Sequence, residues 1–279
     1  MSFAGLVKIT RPVNSVVAGL AAIIAYLIAT GTIISAVILL FIIVALVTAA
    51  GNVINDYFDA GIDRINRPER PIPSGAVTLS AAKGFAIFLF LAGICAAIFT
   101  TPLCVGIAIF NSLLLVAYAS RFKGTPLIGN IAVSYLAASM FLFGGALNGW
   151  TGLVHIVPVA VITFFAMLSR ELLKDAEDVK GDIAGGADTL PIRIGIKKTS
   201  LLAFTCSVIA VAASIIPIFW WGPWYLTGIA VVDAVILAAA FRAIPCGTPE
   251  CIQKSGASTL LKVGMFASLI VFTISAIFL

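Results

Sequence analysis

Long apolar stretches separated by short polar segments are the dominant pattern along the chain. Four stretches contain no charged residue, namely 12–55, 84–120, 124–169 and 199–232. A helix that crosses a membrane needs about 20 residues, so each stretch is long enough for two helices and a short turn. A further apolar run, from about residue 257 to the C-terminus, adds a ninth helix.

The pattern therefore predicts nine membrane-spanning helices, with turn residues marking where each pair folds back. The predicted helices cover residues 13–30, 34–57, 80–99, 103–120, 127–147, 153–174, 199–218, 224–242 and 258–279. Glycine, proline, asparagine and threonine, which favour turns, occur in the four predicted turns. These turns lie at 31–32, 100–102, 148–152 and 220–224.

Composition supports a membrane protein rather than a soluble domain. The chain is 61% hydrophobic and only 10% charged, whereas soluble domains carry about 25% charged residues. We therefore predict an all-α, polytopic nine-helix bundle that forms a single membrane-embedded domain over residues 1–279. The five cysteines lack the Cys-x-x-Cys spacing of a zinc site and are interpreted as small, buried apolar residues.

The basic residues orient this bundle. Every lysine and arginine lies before the first helix or in the segments 56–83, 121–123, 170–198 and 242–262, and the four turns contain none. Because basic loops stay on the cytoplasmic side, the N-terminus is predicted inside and the C-terminus outside. The net charge of +5 then indicates contact with anionic lipid and not with nucleic acid.

Two acidic clusters follow long apolar runs and carry the candidate chemistry. The first contains Asn55, Asp56, Asp59 and Asp63, and the second contains Glu171, Asp175, Asp178 and Asp182. Residues three or four apart share one face of a helix, where like charges repel. A bridging cation reverses that repulsion. Mg²⁺ binds one or two carboxylates and completes its shell with water and phosphate oxygens, so two facing clusters are suited to a diphosphate.

Basic and polar residues near the clusters supply candidate partners for anionic oxygens. The loop 66–75 carries Arg67 and Arg70 and is stiffened by three prolines, which lowers the cost of ordering it over a ligand. Arginine binds phosphate through a planar fork and lysine through a point charge. The other candidates on this face are Asn14, Tyr118, Arg121, Lys123, Lys174 and Arg193.

Three other interpretations compete with a metal-diphosphate site. The acids are solvated surface charges in the first, and ion sites of a cation-coupled transporter in the second. Transporter sites lie near the membrane midplane, where only Asp233 is predicted, and we interpret Asp233 as an interhelical hydrogen-bonding residue. His155, the only histidine, is predicted on the outer face, remote from the clusters. In the third, a group is transferred from a metal-bound diphosphate to an aromatic or tetrapyrrole acceptor.

The two clusters resemble the motifs of the UbiA superfamily of intramembrane prenyltransferases. The motif Asn-x-x-x-Asp-x-x-x-Asp matches Asn55, Asp59 and Asp63, and the motif Asp-x-x-x-Asp matches Asp178 and Asp182. Some members carry a further acid at the position of Lys174, and here Glu171 or Asp175 is expected to supply that charge. The strings 66–75, 173–182 and 189–191 are similar to those of archaeal digeranylgeranylglyceryl phosphate synthases.

The resemblance implies an Mg²⁺-dependent transfer of a geranylgeranyl group from geranylgeranyl diphosphate to the hydroxyl of geranylgeranylglyceryl phosphate, in the cell membrane and on its cytoplasmic side. The implied metal ligands are Asp59, Asp63, Asp175, Asp178 and Asp182. The implied substrate-binding residues are Asn14, Asn55, Asp56, Arg67, Arg70, Arg121, Lys123, Lys174 and Arg193. Four of the metal ligands, Asp59, Asp63, Asp178 and Asp182, together with Tyr118 are implied in catalysis, the tyrosine through the face of its ring.

Overall fold

A computed structural model describes residues 2–278 of the chain. Within that range the structure is helical and has no strand, which confirms the all-α prediction. The short helices are α1 (Phe3–Ile9), α4 (Ala60–Asn66), α9 (Leu190–Ile194) and α12 (Pro249–Ser255). The long helices are α2 (Pro12–Thr30), α3 (Val37–Phe58), α5 (Leu79–Ala97), α6 (Pro102–Ala117), α7 (Ile128–Ala146), α8 (Gly149–Ala184), α10 (Ile196–Ala213), α11 (Ile218–Ala243) and α13 (Ala257–Phe278).

The nine long helices of this range correspond to the nine predicted spans, and each is apolar enough to cross a membrane. The predicted end of the last span, residue 279, lies outside the described residues. The largest difference is α8, predicted as 153–174 and observed with 36 residues. At about 1.5 Å per residue it is longer than a hydrocarbon core of about 30 Å. Charged residues at helical spacing therefore continue this helix beyond its apolar part.

One of the four predicted turns is placed differently by the structure, and another is a kink within a longer helix. The predicted turn 148–152 is largely helical, because α8 begins at Gly149, whose positive φ of 68° reverses the chain. The predicted turn 220–224 coincides with a break inside α11, and the chain also turns earlier, between α10 and α11. Gly222, with φ of 71°, kinks α11 just before Pro223. Glycine and proline signal both turns and helix kinks, so the sequence pattern alone did not distinguish them.

The first of two compact units contains the residues up to Tyr26 together with Thr32–Arg121 and Leu142–Val154. Its core is formed mainly by α3 packed against α5. Small residues allow close helix packing, as is common in membrane bundles. Gly144 is an example, because a Cβ atom there would lie 2.6 Å from both the Ala25 Cβ and the Tyr26 backbone nitrogen.

The second unit contains Leu27–Gly31, Phe122–Phe141 and the residues from His155 onward. In it, α11 packs against α10 and α13. The Ser214 hydroxyl, at the end of α10, donates a hydrogen bond of 2.6 Å to Asp233 Oδ2 on α11. Tyr225 Oη donates to the Ser214 carbonyl at 2.7 Å. The interhelical hydrogen bond predicted for Asp233 is confirmed.

The cysteines differ in part from the prediction. Cys104 and Cys206 are buried apolar residues, as expected, but Cys95 is exposed. Cys246 and Cys251 form a disulfide that joins the end of α11 to α12. The interpretation as small buried residues was therefore wrong for Cys95, because a sequence run does not specify which face of a helix a residue occupies. Cys246 is buried but, like Cys251, is not a free thiol.

Candidate active site

The first carboxylate cluster keeps its four-residue spacing across the junction of α3 and α4. Asp59 connects the two helices, and its backbone nitrogen donates to the Asn55 carbonyl at 2.9 Å. The Asp63 nitrogen in turn donates to the Asp59 carbonyl at 2.9 Å. Helical geometry therefore continues through Gly61 in α4, and Asn55, Asp59 and Asp63 follow one another at intervals of about one turn.

Arginines hold two of the carboxylates in this cluster. Asp56 and Asp63 are only 4% and 5% exposed. Arg70 Nη1 lies 2.6 Å from Asp63 Oδ2 and 3.3 Å from Asp56 Oδ1. Arg11 Nη2 lies 2.5 Å from the same Asp56 oxygen. Asp59 accepts a hydrogen bond of 3.1 Å from the neutral Asn55 amide. Buried carboxylates need such partners to remain charged, so Asp56 serves as an anchor for two arginines.

The proline-rich loop that carries Arg70 is fixed from both sides. Lys8 Nζ donates to the Glu69 carbonyl at 3.3 Å, and the Val77 nitrogen donates to the Pro71 carbonyl at 2.9 Å. Arg67 begins the loop and is exposed. The loop thus presents one arginine inward to the carboxylates and one arginine to solvent.

The second carboxylate cluster lies on one continuous helix, α8, and two of its carboxylates have neutral donors. Asn130 Nδ2 donates to Asp175 Oδ2 at 2.8 Å. Thr189 Oγ1 donates to Asp182 Oδ2 at 3.1 Å. Asp178 is exposed, and within residues 2–278 its carboxylate has no hydrogen bond or ion pair. The negative charge of this cluster is therefore less compensated by direct partners than that of the first cluster.

The choice between Glu171 and Asp175 is clarified by their neighbours. Arg170 Nη1 lies 2.5 Å from Glu171 Oε1, so an adjacent cation already pairs with this carboxylate. Asp175 has a neutral donor, and Lys174 is exposed. Asp175 is therefore the better source of the additional negative charge in the second cluster.

Arg193, predicted to bind substrate, forms an ion pair in the structure. Its guanidinium donates to both carboxylate oxygens of Asp188, with Nε at 3.0 Å from Oδ1 and 2.9 Å from Oδ2. Arg193 lowers the pKa of Asp188 below its usual value by hydrogen bonding and by charge. A phosphate ligand of Arg193 would compete with Asp188.

The remaining predicted residues lie at helix ends. Tyr118 and Arg121 are in a π-helical turn, Tyr118–Phe122, that follows α6. Such turns are frequent at functional sites. Arg121 and Lys123 are exposed, and Asn14 is exposed in the first turn of α2. His155 is near the start of α8, where its ring packs edge to face with that of Trp220 at 5.8 Å between centroids, so it has a packing role there.

The donor atoms of both clusters fit Mg²⁺. Each cluster offers hard carboxylate oxygens, to which Asn55 adds an amide oxygen in the first, and neither contains a thiol or imidazole. In the described part of the chain, no three His, Cys, Asp or Glu side chains converge on one point as a metal cage. Mg²⁺ is usually bound through one or two carboxylates, with water and phosphate oxygens in the other positions, so carboxylates of this number and type suffice.

Three residues in these contacts were missed by sequence reasoning: Arg11, Asn130 and Thr189. Arg11 was interpreted only as a topogenic charge. Asn130 stands in an uncharged stretch that gave no chemical signal. Each of these two contacts its carboxylate across 45 positions in the chain. Thr189 was noted only as part of a motif string. A search for polar residues in the first or last turn of each predicted span would have found Asn130, and including the two residues before each span would have added Arg11.

These features define a class, a multi-pass α-helical membrane enzyme with two carboxylate motifs at helix ends. The profile of the UbiA prenyltransferase family matches residues 16–270. The chain belongs to the UbiA prenyltransferase family, so it is a prenyltransferase, and this excludes the transporter and surface-charge interpretations.

Known relatives cover the full length of the chain. Digeranylgeranylglyceryl phosphate synthase of Methanoregula boonei is 63% identical over 279 residues, which is 100% of both chains. A solved structure of a digeranylgeranylglyceryl phosphate synthase matches with a TM-score of 0.91 at 35% identity, over 99% of each chain. A UbiA homologue from Archaeoglobus fulgidus, bound to GPP and Mg²⁺, shares the fold with a TM-score of 0.63 at 16% identity, over 95% of this chain and 99% of the homologue.

Proposed function

We propose that this prenyltransferase transfers a geranylgeranyl group from geranylgeranyl diphosphate to the hydroxyl of geranylgeranylglyceryl phosphate. The observation that carries the proposal is the 63% identity, over the entire chain, to a synthase named for this product. The reaction forms an ether bond and releases diphosphate. It is a step of archaeal membrane lipid synthesis.

Both carboxylate clusters are proposed to act through Mg²⁺. The residues that would hold it are Asp59, Asp63, Asp175, Asp178 and Asp182. When bound, Mg²⁺ neutralises the charge that develops on the departing diphosphate. The exposed carboxylate of Asp178, which has no hydrogen bond or ion pair within residues 2–278, and the neutral donors to Asp175 and Asp182 support this role, because these donors do not neutralise the carboxylates. Asp63 shares its charge with Arg70 and is proposed as the weakest of the five ligands.

Basic and polar side chains are proposed to bind the anionic groups of the two substrates. The exposed candidates are Asn14, Arg67, Arg121, Lys123, Lys174 and Arg193. Arg70 presents a guanidinium next to the carboxylates, held by Asp56 and Asp63, and Asn55 positions Asp59. The contacts of Asp56 with Arg11 and Arg70 support a positioning role, and not direct substrate binding, for this residue.

The chemical step proposed is ionisation of the allylic diphosphate. The carbon–oxygen bond breaks, diphosphate leaves with the electron pair, and an allylic carbocation remains. The acceptor hydroxyl oxygen attacks the terminal carbon, and its proton passes to the released diphosphate. The ring face of Tyr118 is proposed to stabilise the cation. Apolar helices exclude water, which would otherwise capture the cation.

The basic residues support an active site on the cytoplasmic side of the membrane. The segments that contain the two clusters also contain most of the lysines and arginines, and such segments remain in the cytoplasm. The N-terminus is accordingly proposed to be cytoplasmic and the C-terminus to be outside.

An assay with defined substrates tests the proposed function. The purified full-length protein in lipid nanodiscs is incubated with geranylgeranyl diphosphate, Mg²⁺ and either geranylgeranylglyceryl phosphate or an aromatic acceptor. The products are identified by mass spectrometry. We expect the digeranylgeranyl ether from the first acceptor only. Alkylation of the aromatic acceptor without turnover of the glyceryl phosphate would overturn the proposal and favour the other acceptor class.

A further inference from the structure

Asn130, in the first turn of α7, makes a buried contact with Asp175 of the second carboxylate cluster. The side chain is 93% buried, since its exposed fraction is 7%. Its amide nitrogen donates to Asp175 Oδ2 at 2.8 Å. Asp175 lies about one turn before Asp178 on α8, so Asn130 contacts a carboxylate next to the proposed ligand Asp178 along the helix.

The orientation of this amide follows from the chemistry of its partner. An ionised carboxylate only accepts hydrogen bonds, so the NH₂ group must face Asp175. The amide oxygen then has no hydrogen-bond partner in the described range 2–278, although it is fully buried. A buried acceptor without a partner costs free energy, so the amide oxygen does not stabilise the fold. The contact with the Asp175 carboxylate is therefore the interaction that accounts for an asparagine at this position.

The backbone before Asn130 is also held in an unfavourable conformation. Leu127 has φ of 66°, a region that residues other than glycine rarely adopt. The loop is tied to the segment after α8, because the Asp188 nitrogen donates to the Gly124 carbonyl at 2.8 Å. Unfavourable backbone geometry concentrates at functional sites. The hydrogen bond between Asp188 and Gly124 holds the segment before α7, and with it Asn130, beside α8.

We propose that Asn130 is a positioning residue that orients the Asp175 carboxylate for a divalent cation. The amide engages Oδ2 and leaves Oδ1 for the cation, in line with Asp178 and Asp182. A neutral donor is suited to this purpose because it fixes the carboxylate without neutralising it, whereas Arg70 neutralises Asp63 in the first cluster. The inference rests on the proposed use of Mg²⁺ by the second cluster.

Substitution of Asn130 by leucine tests the proposal through cation binding instead of turnover. Mn²⁺ binding to the purified full-length protein is measured by electron paramagnetic resonance, with and without inorganic diphosphate. Loss of a group that orients a metal ligand typically weakens metal binding by about 10- to 100-fold. We expect N130L to weaken Mn²⁺ binding by about tenfold. Its Tm is expected to fall as well, because the half-buried Asp175 carboxylate loses its donor.

The matched control is Ser134→Ala, one turn further along α7. Ser134 is also fully buried, but its hydroxyl donates to the backbone carbonyl of Asn130 at 2.6 Å and not to α8. S134A is expected to bind Mn²⁺ like the wild type. Equal losses in S134A and N130L would indicate a disturbed helix and overturn the proposal. If N130L does not fold, Asn130→Ala removes the same amide with less bulk and takes its place.

Asp175→Asn completes the test. If Asn130 acts through Asp175, adding N130L to D175N produces no further loss of Mn²⁺ affinity. A further loss, an N130L protein with wild-type affinity, or a wild-type protein that binds no Mn²⁺ under either condition would each overturn the inference. The acceptor assay is independent of these results. A protein that alkylates another acceptor but shows the Asn130 effect would refute the proposed function and support this inference.

Discussion

Arg70 Nη1 lies 2.6 Å from Asp63 Oδ2, and this ion pair joins the proline-rich loop to the first carboxylate cluster. The same guanidinium nitrogen lies 3.3 Å from Asp56 Oδ1. Both carboxylates are almost completely buried. One arginine therefore compensates two buried negative charges and is itself fixed beside residues that the family motif implicates in metal binding.

Replacement of Arg70 by alanine is expected to destabilise the protein. Removing one partner of a buried ion pair costs about 3–5 kcal/mol, because the remaining charge has no compensation. Asp56 retains Arg11, so we expect a value near the lower end, about 3 kcal/mol. Thermal unfolding in detergent, followed by circular dichroism, measures the effect as a lower Tm.

Arg64→Ala is the control for this loss of charge. Arg64 lies in the adjacent helix α4 and is exposed, and substitutions at such surface positions usually change stability by less than about 0.5 kcal/mol. Equal Tm values for R70A and R64A would show that the ion pairs of Arg70 do not stabilise the fold.

Asp178→Asn is expected to reduce kcat strongly without reducing Tm. The Asp178 carboxylate is exposed, and in the described residues it has no hydrogen bond or ion pair to lose. Loss of transition-state charge stabilisation costs about 10²- to 10³-fold in kcat. A chelator is expected to abolish turnover by the wild-type protein, and added Mg²⁺ to restore it.

Glu250→Gln serves as the control for D178N. Glu250 is an exposed carboxylate on α12 that pairs with Lys180, outside the proposed site. Its neutralisation should leave kcat within about twofold of the wild type, because exposed ion pairs contribute little. Full turnover by D178N, or turnover in excess chelator, would contradict the metal role of the second cluster.

Gly144→Ala is expected to lower Tm because α2 and α7 approach each other closely at this point. The new methyl group would lie 2.6 Å from the Tyr26 backbone nitrogen, and overpacking of this kind costs about 1–3 kcal/mol. Gly106→Ala is the matched control, since no atom lies within 4 Å of a Cβ at Gly106 in α6. Alanine is the better helix former, so G106A should keep or slightly raise Tm. A G144A protein as stable as G106A would contradict the close packing.

Asp233→Ala is expected to destabilise the α10–α11 contact by about 1 kcal/mol, the usual scale of an interhelical hydrogen bond in a membrane. The Ser214 hydroxyl would keep only the Val211 carbonyl, at 2.8 Å, as an acceptor, whereas Asp233→Asn keeps an oxygen at the same place on α11. We therefore expect a lower Tm for D233A, a smaller change for D233N, and unchanged turnover for both. Lost turnover at an unchanged Tm would instead assign Asp233 to catalysis.

Much of the fold and the family follow from the sequence. The nine spans were predicted because apolar runs of about 20 residues have one stable form in lipid, the helix. The common helix face of Asn55, Asp59 and Asp63 was also predicted, because helical periodicity depends only on neighbouring residues. The family resemblance rested on those same motif residues. Gly149 begins a helix and Gly222 kinks one, which shows that glycine indicates a break but not its type.

The positions of the acids along their helices, and the family that they indicate, can be read from the amino-acid pattern. The partner of each acid depends instead on how the helices pack. Asp56 and Asp63 are paired with arginines, whereas Asp175 is held by the neutral Asn130. The physical reason is distance along the chain. Arg11 and Asp56, like Asn130 and Asp175, are 45 residues apart, and helix packing, which local periodicity does not encode, brings them together.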